Sequence, residues 1–214
     1  VEFVDQSSLG RTARGNPASY TGVFTSIREF FGTSSEAAEA GASPADFSFN
    51  SGKGRCPHCA GTGWEHVEMQ FLSDIYLPCP VCRGRRWQDW ILAVRPELDD
   101  GVRRSIDEVL DLTVEEVAAA FANHPAIIKS LSLLSLTGLG YLKLGQPLST
   151  LSGGERQRLK LAARIAEGIP QKHRRSDAAW NGPLFVFDEP TTGLHFADVH
   201  KLVEILKRLA DGGN

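Results

Sequence analysis

Apolar positions recur along this chain with two different periods, and the places where the period changes mark out its elements. From Glu155 to Glu167, Leu159, Ala162, Ala163 and Ala166 share one face while Arg156, Lys160 and Arg164 fall largely on another, which predicts an amphipathic helix. Leu184 to Phe187 is a short unbroken apolar run of the kind that forms a buried strand. Val199, Leu202, Val203, Leu206 and Leu209 predict a second amphipathic helix over Phe196 to Ala210. Upstream, three shorter helices are expected. One covers Ser105 to Leu112, one is opened by the capping box of Thr113-Val114-Glu115-Glu116, and one starts at Pro125 with Ile127, Ile128, Leu131 and Leu134 on a continuous side. Between Trp64 and Leu77 the period drops to two. Val67, Met69 and Phe71 alternate against Ile75 and Leu77 across a turn near Ser73-Asp74, which predicts a β-hairpin. Residues 1–50 read as a strand, an arginine-bearing loop, a helix near Val23 to Phe31 and a linker, in which Ser34 to Pro44 has the composition of a disordered segment. The pattern divides the chain into residues 1–50, 51–90, 91–150 and 151–214.

With 214 residues, 42% of them hydrophobic, the chain is long enough to bury a sizeable core. A formal charge of −3 excludes a uniformly basic coat for nucleic acid, so any such attraction has to be local. There is no apolar run of bilayer length and no secretory signal, and the expected location is the cytoplasm.

The glycine-led helix and the short strand carry the first candidate chemistry. Ser152 is placed to cap a helix whose Glu155 lies three residues on, gathering Gly153, Gly154 and several free N–H groups at a positive helix end that suits a phosphate. The strand delivers Asp188 and Glu189 at its C-terminal edge, where one carboxylate can serve Mg²⁺ and the other can orient an attacking water. Each signal taken alone has an ordinary alternative: a plain helix start, and a solvated strand end.

All four cysteines fall in two C-x-x-C knuckles, Cys56-Pro57-His58-Cys59 and Cys79-Pro80-Val81-Cys82, each followed by glycine at a repeated offset. That spacing predicts a structural Zn²⁺ held by four thiolates, with no open position for catalysis, clamping the base of the hairpin. Two disulfides would need an oxidising compartment. His58 and His66 are alternative ligands or, more simply, surface histidines of a loop. Lys53, Arg55, Arg83, Arg85 and Arg86 flank the knuckles, with Trp87 and Trp90 beyond, a mixture suited to a nucleic-acid backbone and its bases. The bland alternative is that the arginines solvate the module and the tryptophans pack beneath it.

Leu151-Ser152-Gly153-Gly154-Glu155-Arg156-Gln157 resembles the signature motif of ABC ATPases, Phe185 to Glu189 their Walker B strand, and Thr191 to His195 the D-loop that follows. With the zinc knuckles placed before the signature, nearly the whole chain resembles the second ATPase half of the UvrA family, the damage-recognition ATPases of the bacterial excinuclease. The resemblance implies an α/β fold: a partial ABC-type ATPase core with a helical signature subdomain and an inserted four-cysteine zinc β-hairpin module. It implies ATP and Mg²⁺ as cofactors, with Asp188 on Mg²⁺, Glu189 as catalytic base, and Ser152, Gly153, Gly154 and Glu155 at the nucleotide. Gln6 falls at the Q-loop, and Arg11, Arg14 and Asn16 to Tyr20 fall where relatives approach DNA. The implied partners are damaged double-stranded DNA, a UvrB-type helicase subunit and a second copy in a homodimer.

The chain also departs from that pattern. No G-x-x-x-x-G-K-[ST] phosphate loop occurs, since Gly52-Lys53 is followed by Gly54, so that loop is expected before Val1 and the switch histidine beyond Asn214. The link from Ile165 to Leu184, with Lys172-His173-Arg174-Arg175, is longer than usual for the family. Two further readings remain open: a zinc-ribbon interaction module of the DnaJ type, and an ABC ATPase outside repair.

Overall fold

A computed structural model describes residues 2–4, 14–67, 75–166, 185–187, 189–191, 199–200, 202–204 and 206–207. It is a mixed α and β chain in which one pair of short strands joins segments far apart in the sequence. β1 (Glu2–Val4) and β4 (Phe185–Phe187) pair in parallel, with Phe3 opposite Val186. Parallel pairing of segments so far apart requires a long crossover, and the residues between them supply it.

The crossover is largely helical. α1 (Pro17–Tyr20) opens with a reciprocal cap between Asn16 and Ser19, and α2 (Val23–Gly32) buries Val23, Phe24, Ile27 and Phe31 on one side. α4 (Asp89–Leu92) follows the second knuckle. The capping box read from the sequence forms, Thr113 with Glu116 before α6 (Val114–Ala120), and the structure adds a second, Ser105 with Glu108 before α5 (Ile106–Asp111). α7 (Pro125–Leu136) begins at its proline and buries Ile127, Leu131 and Leu134, while Ile128 is half-buried. α7 packs against α2, α6 and α8 (Gly153–Ala166). One apolar cluster therefore runs from Ala18 through Phe47, Trp87 and Leu131 to Leu159 and Ala162, without a break at residues 50, 90 or 150.

The segment Ser34 to Pro44, expected to be disordered, is ordered. Ser34 caps α3 (Ser35–Glu39), Ala37 is fully buried, and Gly32 lies so close to Pro44 that a Cβ there would collide with its backbone.

β2 (Trp64–Val67) and β3 (Ile75–Pro78) form the expected antiparallel hairpin, with Val67 opposite Ile75 and Trp64 opposite Pro78. Met69, Phe71 and the Ser73-Asp74 turn lie outside the described residues. The ribbon is exposed on both faces, Tyr76 at 59%, so it stands away from the core and draws its order from its base. Among the described residues no helix is long and apolar enough to cross a membrane.

Candidate functional site

At the base of the ribbon the four cysteines converge. Cys56 Sγ lies 4.0 Å from Cys79 Sγ and Cys59 Sγ 3.7 Å from Cys82 Sγ, and all four sulfurs fall within 4.8 Å of one another. A tetrahedral site with zinc–sulfur bonds of about 2.3 Å puts its sulfurs about 3.8 Å apart. A disulfide needs about 2.05 Å. The four thiols are free, buried and spaced for a metal ion.

The two knuckles share one backbone path. Ala60 and Arg83, each directly after the second cysteine of its knuckle, have φ of 50° and 54°, and the glycines that follow, Gly61 and Gly84, have 84° and 86°. These left-handed pairs turn N–H groups toward sulfur, and the Gly63 N–H donates to Cys59 Sγ at 3.3 Å. Gly61 has to be glycine, because a Cβ there would collide with the Phe49 carbonyl. Burial opposes ionisation of Cys59, but the N–H groups of Gly63 and Gly61 outweigh it and bring the thiol down to about 7. Burial pushes Cys82 up to about 12. His58 contacts Glu65 at the surface and His66 stacks on Tyr76, so neither histidine joins the sulfur cluster.

The basic residues around the knuckles separate into two groups. Lys53, Arg83 and Arg85 are exposed, Arg85 in an ion pair with Asp89 at 3.0 Å, and Arg55 is half-buried with a hydrogen bond to the Asn50 carbonyl. Arg86 is a correction to the sequence expectation, and Trp87 takes the alternative in which it packs beneath the module. Arg86 is 7% exposed with its guanidinium over the Phe49 ring, and Trp87, 1% exposed, packs edge-on against Phe49 in the layer beneath the knuckles. Neither presents a face to a duplex; Trp90 stays exposed. Arg14 donates to the Ala60 carbonyl at 2.8 Å and so ties the N-terminal loop to the first knuckle. Asn16, Pro17 and Ala18 are buried in structural roles.

The glycine-led helix end is built as its sequence predicts. The Ser152 N–H donates to Glu155 Oε2 at 2.7 Å and the Glu155 N–H donates to Ser152 Oγ at 3.3 Å, leaving Ser152 exposed at the tip of α8. The other Glu155 oxygen accepts the Tyr141 hydroxyl. Tyr141 escapes periodicity arguments because it stands in a turn. At the far edge of β4, Glu189 is exposed with φ of 45°, a left-handed conformation unusual for a glutamate and of a kind that concentrates at functional sites. Asp188, Gln6, Arg11 and the 172–175 basic cluster lie outside the described residues.

Burial raises the pKa of Glu155, but the Tyr141 hydroxyl and the Ser152 N–H outweigh it and hold the carboxyl below its ordinary value of 4.5. A depressed folded value means that the stabilisation is complete above the unfolded value and disappears as pH falls through the folded one. Glu155→Gln is therefore expected to destabilise the protein by at most about 1 kcal/mol at pH 7, reduced by solvent screening. The gap from the parent should narrow as pH falls below the ordinary value of 4.5 and close once the carboxyl protonates in the folded protein. Urea midpoints for both proteins between pH 7 and pH 3 check this, and a gap independent of pH contradicts it.

No model of a known protein family matches the chain. It is 50% identical over 214 residues to UvrABC system protein A of Methanothermobacter thermautotrophicus, and 48% identical over 211 residues to the proteins of that name from Deinococcus radiodurans and Thermus thermophilus. Those alignments take in 99–100% of this chain and 19–21% of the relatives, so the chain spans about a fifth of their length. The crystal structure of UvrA2 from Deinococcus radiodurans superposes with a TM-score of 0.84 at 45% identity, over 100% of this chain and 24% of that one.

Proposed function

We propose, for a chain that matches UvrABC system protein A along its whole length, that it is the signature-bearing segment of a damage-sensing ABC ATPase of nucleotide excision repair. In the intact protein it serves ATP-dependent recognition of damaged double-stranded DNA, in a homodimer that works with a UvrB-type helicase subunit. The observation that carries this reading is the presence in one chain of a capped Ser152-Gly153-Gly154 helix end, seated on the apolar core by Leu151 and Leu159, and of a hairpin whose base gathers four cysteines.

In this mechanism the exposed tip of α8, with Ser152, Gly153 and Gly154, closes over the γ-phosphate of an ATP held by a phosphate loop elsewhere in the molecule. Glu155 holds the helix tip in shape. Glu189 orients the hydrolytic water, Asp188 supports Mg²⁺, and Gln6 senses the γ-phosphate. Cys56, Cys59, Cys79 and Cys82 hold Zn²⁺, which supplies a structural clamp on the ribbon. Lys53, Arg55, Arg83 and Arg85, with Arg11 and Arg14, supply local positive charge toward the DNA backbone. Lesions are then distinguished by how easily the duplex deforms, which suits a reader that accepts many adducts.

The 214-residue chain by itself is expected to hydrolyse no ATP and to bind nucleotide at most weakly, because it carries no phosphate loop. In the full-length protein, lesion-bearing duplex should compete better than intact duplex, and both better than unfolded peptide. Calorimetric titration and competition binding check the two halves. Tight ATP binding by the isolated chain overturns the first, and a preference for peptide returns the reading to a zinc-ribbon interaction module.

A further inference from the structure

Arg86 stands where the knuckles, the aromatic layer and the helical core meet, and the proposed mechanism leaves it without a role. Its guanidinium carbon is 5.0 Å from the centre of the Phe49 ring, Nη2 makes a long 3.5 Å contact with the Gly145 carbonyl, and Nη1 is buried without a hydrogen-bond partner. Among the described residues no carboxylate pairs with it, whereas Arg85, Arg95, Arg103 and Arg104 each have one. A guanidinium does not give up its proton inside a protein. A buried positive charge left alone is strongly unfavourable, so a counter-charge has to lie close by.

The sulfur cluster is that neighbour. Gly63, on which the Arg86 stem packs, donates its N–H to Cys59 Sγ at 3.3 Å. A Cβ on Gly63 would stand 3.1 Å from Arg86 Cγ. The backbone here grips both knuckles: the Cys56 N–H donates to the Arg86 carbonyl at 2.8 Å, and the neighbouring Arg85 N–H donates to the Cys82 carbonyl at 3.0 Å. Four thiolates around a divalent ion leave a net charge of −2, which buried surroundings screen poorly.

The geometry points to Arg86 as the internal counter-ion of a dianionic four-thiolate zinc centre, and through Gly145 as the strut tying that centre to the segment that leads into the Ser152 helix. This rests on the zinc reading of the preceding section. Gly145 is followed by the single turn Leu148–Thr150 and then by Ser152, so a shift of the sulfur cluster reaches the glycine-led tip within seven residues of chain. Arg86 touches no nucleotide in this arrangement; it is a positioning residue for the metal centre.

The test compares R86M, which keeps bulk and loses the charge, with R86K, which keeps the charge. Zinc release to a chromophoric chelator should be about 10–100-fold faster in R86M, the usual cost of losing an outer partner of a metal ligand, and within a few-fold of the parent in R86K. With Co²⁺ in place of zinc, the thiolate-to-cobalt charge-transfer band should move to lower energy in R86M and return in R86K, because removing a positive charge beside sulfur raises its electrons. Loss of packing on Phe49 alone does not move that band in this pattern. If R86M does not fold, R86Q, which keeps a polar reach to Gly145 without the charge, carries the same comparison. Parent-like release and an unshifted band in the uncharged variant overturn the proposal. A parent protein that takes up neither zinc nor tetrahedral cobalt overturns the metal reading itself.

Discussion

Replacing Cys79 with serine is expected to strip the protein of zinc and to melt residues 51–90, while the helices from Ile106 to Leu136 keep their fold. The ribbon has no core of its own: both strands are exposed, and an isolated two-stranded hairpin is marginal in water. What holds it is the cluster at its base, where the buried Cys79 sits within 4.0 Å of Cys56 and its N–H donates to the Gly63 carbonyl at 2.9 Å. Structural zinc contributes about 10–16 kcal/mol in small metal-dependent modules, as much as the total stability of many domains, about 5–15 kcal/mol. No contact of the exposed strands replaces a term of that size. The helical part differs because Val109, Val117, Leu131 and Leu134 belong to a core that continues without the knuckles. Metal analysis should fall from one zinc per parent chain to none, emission from the buried Trp87 should shift to the red, and amide exchange should lose protection most strongly in 51–90. Full zinc occupancy in the serine variant removes Cys79 from the ligand set.

The parts of this structure that were legible in the sequence are those fixed by neighbours in the chain. The caps at Thr113 and Ser152 each need a carboxylate three residues on, and both close as read. The knuckles are legible for the same reason, since C-x-x-C followed by glycine specifies the turn that carries the sulfurs. Tertiary contacts were not legible. Ser34 to Pro44 looks like a linker by composition, yet one buried alanine and the fold-back of Pro44 onto Gly32 order it. Arg86 and Trp87 follow a run of arginines that suggests a surface, but left-handed turns at Arg83, Gly84 and Arg86 redirect the chain and send both side chains inward. No local pattern reports that a backbone turn has exchanged inside for outside. The same blindness hides Tyr141, whose bond to Glu155 joins a loop to a helix tip 14 residues away.

In a full-length version, Glu189→Gln should leave ATP binding intact and lower turnover by about 10²–10⁴-fold, the range that general-base groups contribute. Glutamine keeps the length and shape of the side chain and still hydrogen-bonds a water, but it does not accept that water's proton. The backbone at this position makes the proposed role testable against a structural one. Glu189 is exposed just past β4 and is held at φ of 45°, a conformation that costs a residue with a Cβ about 1–2 kcal/mol. Gln bears the same strain, so any change in its unfolding midpoint reports only the contacts of the charged carboxylate, while turnover should collapse. Gly relieves the strain, so Glu189→Gly should be as inactive as Gln and no less stable than the parent, apart from any contact the carboxylate makes. Single-turnover and nucleotide-binding measurements beside thermal unfolding separate these outcomes. Unchanged turnover in the Gln variant removes Glu189 from the catalytic role. A fall in turnover matched by an equal fall in stability makes the residue a structural one, because a base poised on a strained turn is expected to cost the fold something and return it only in the reaction.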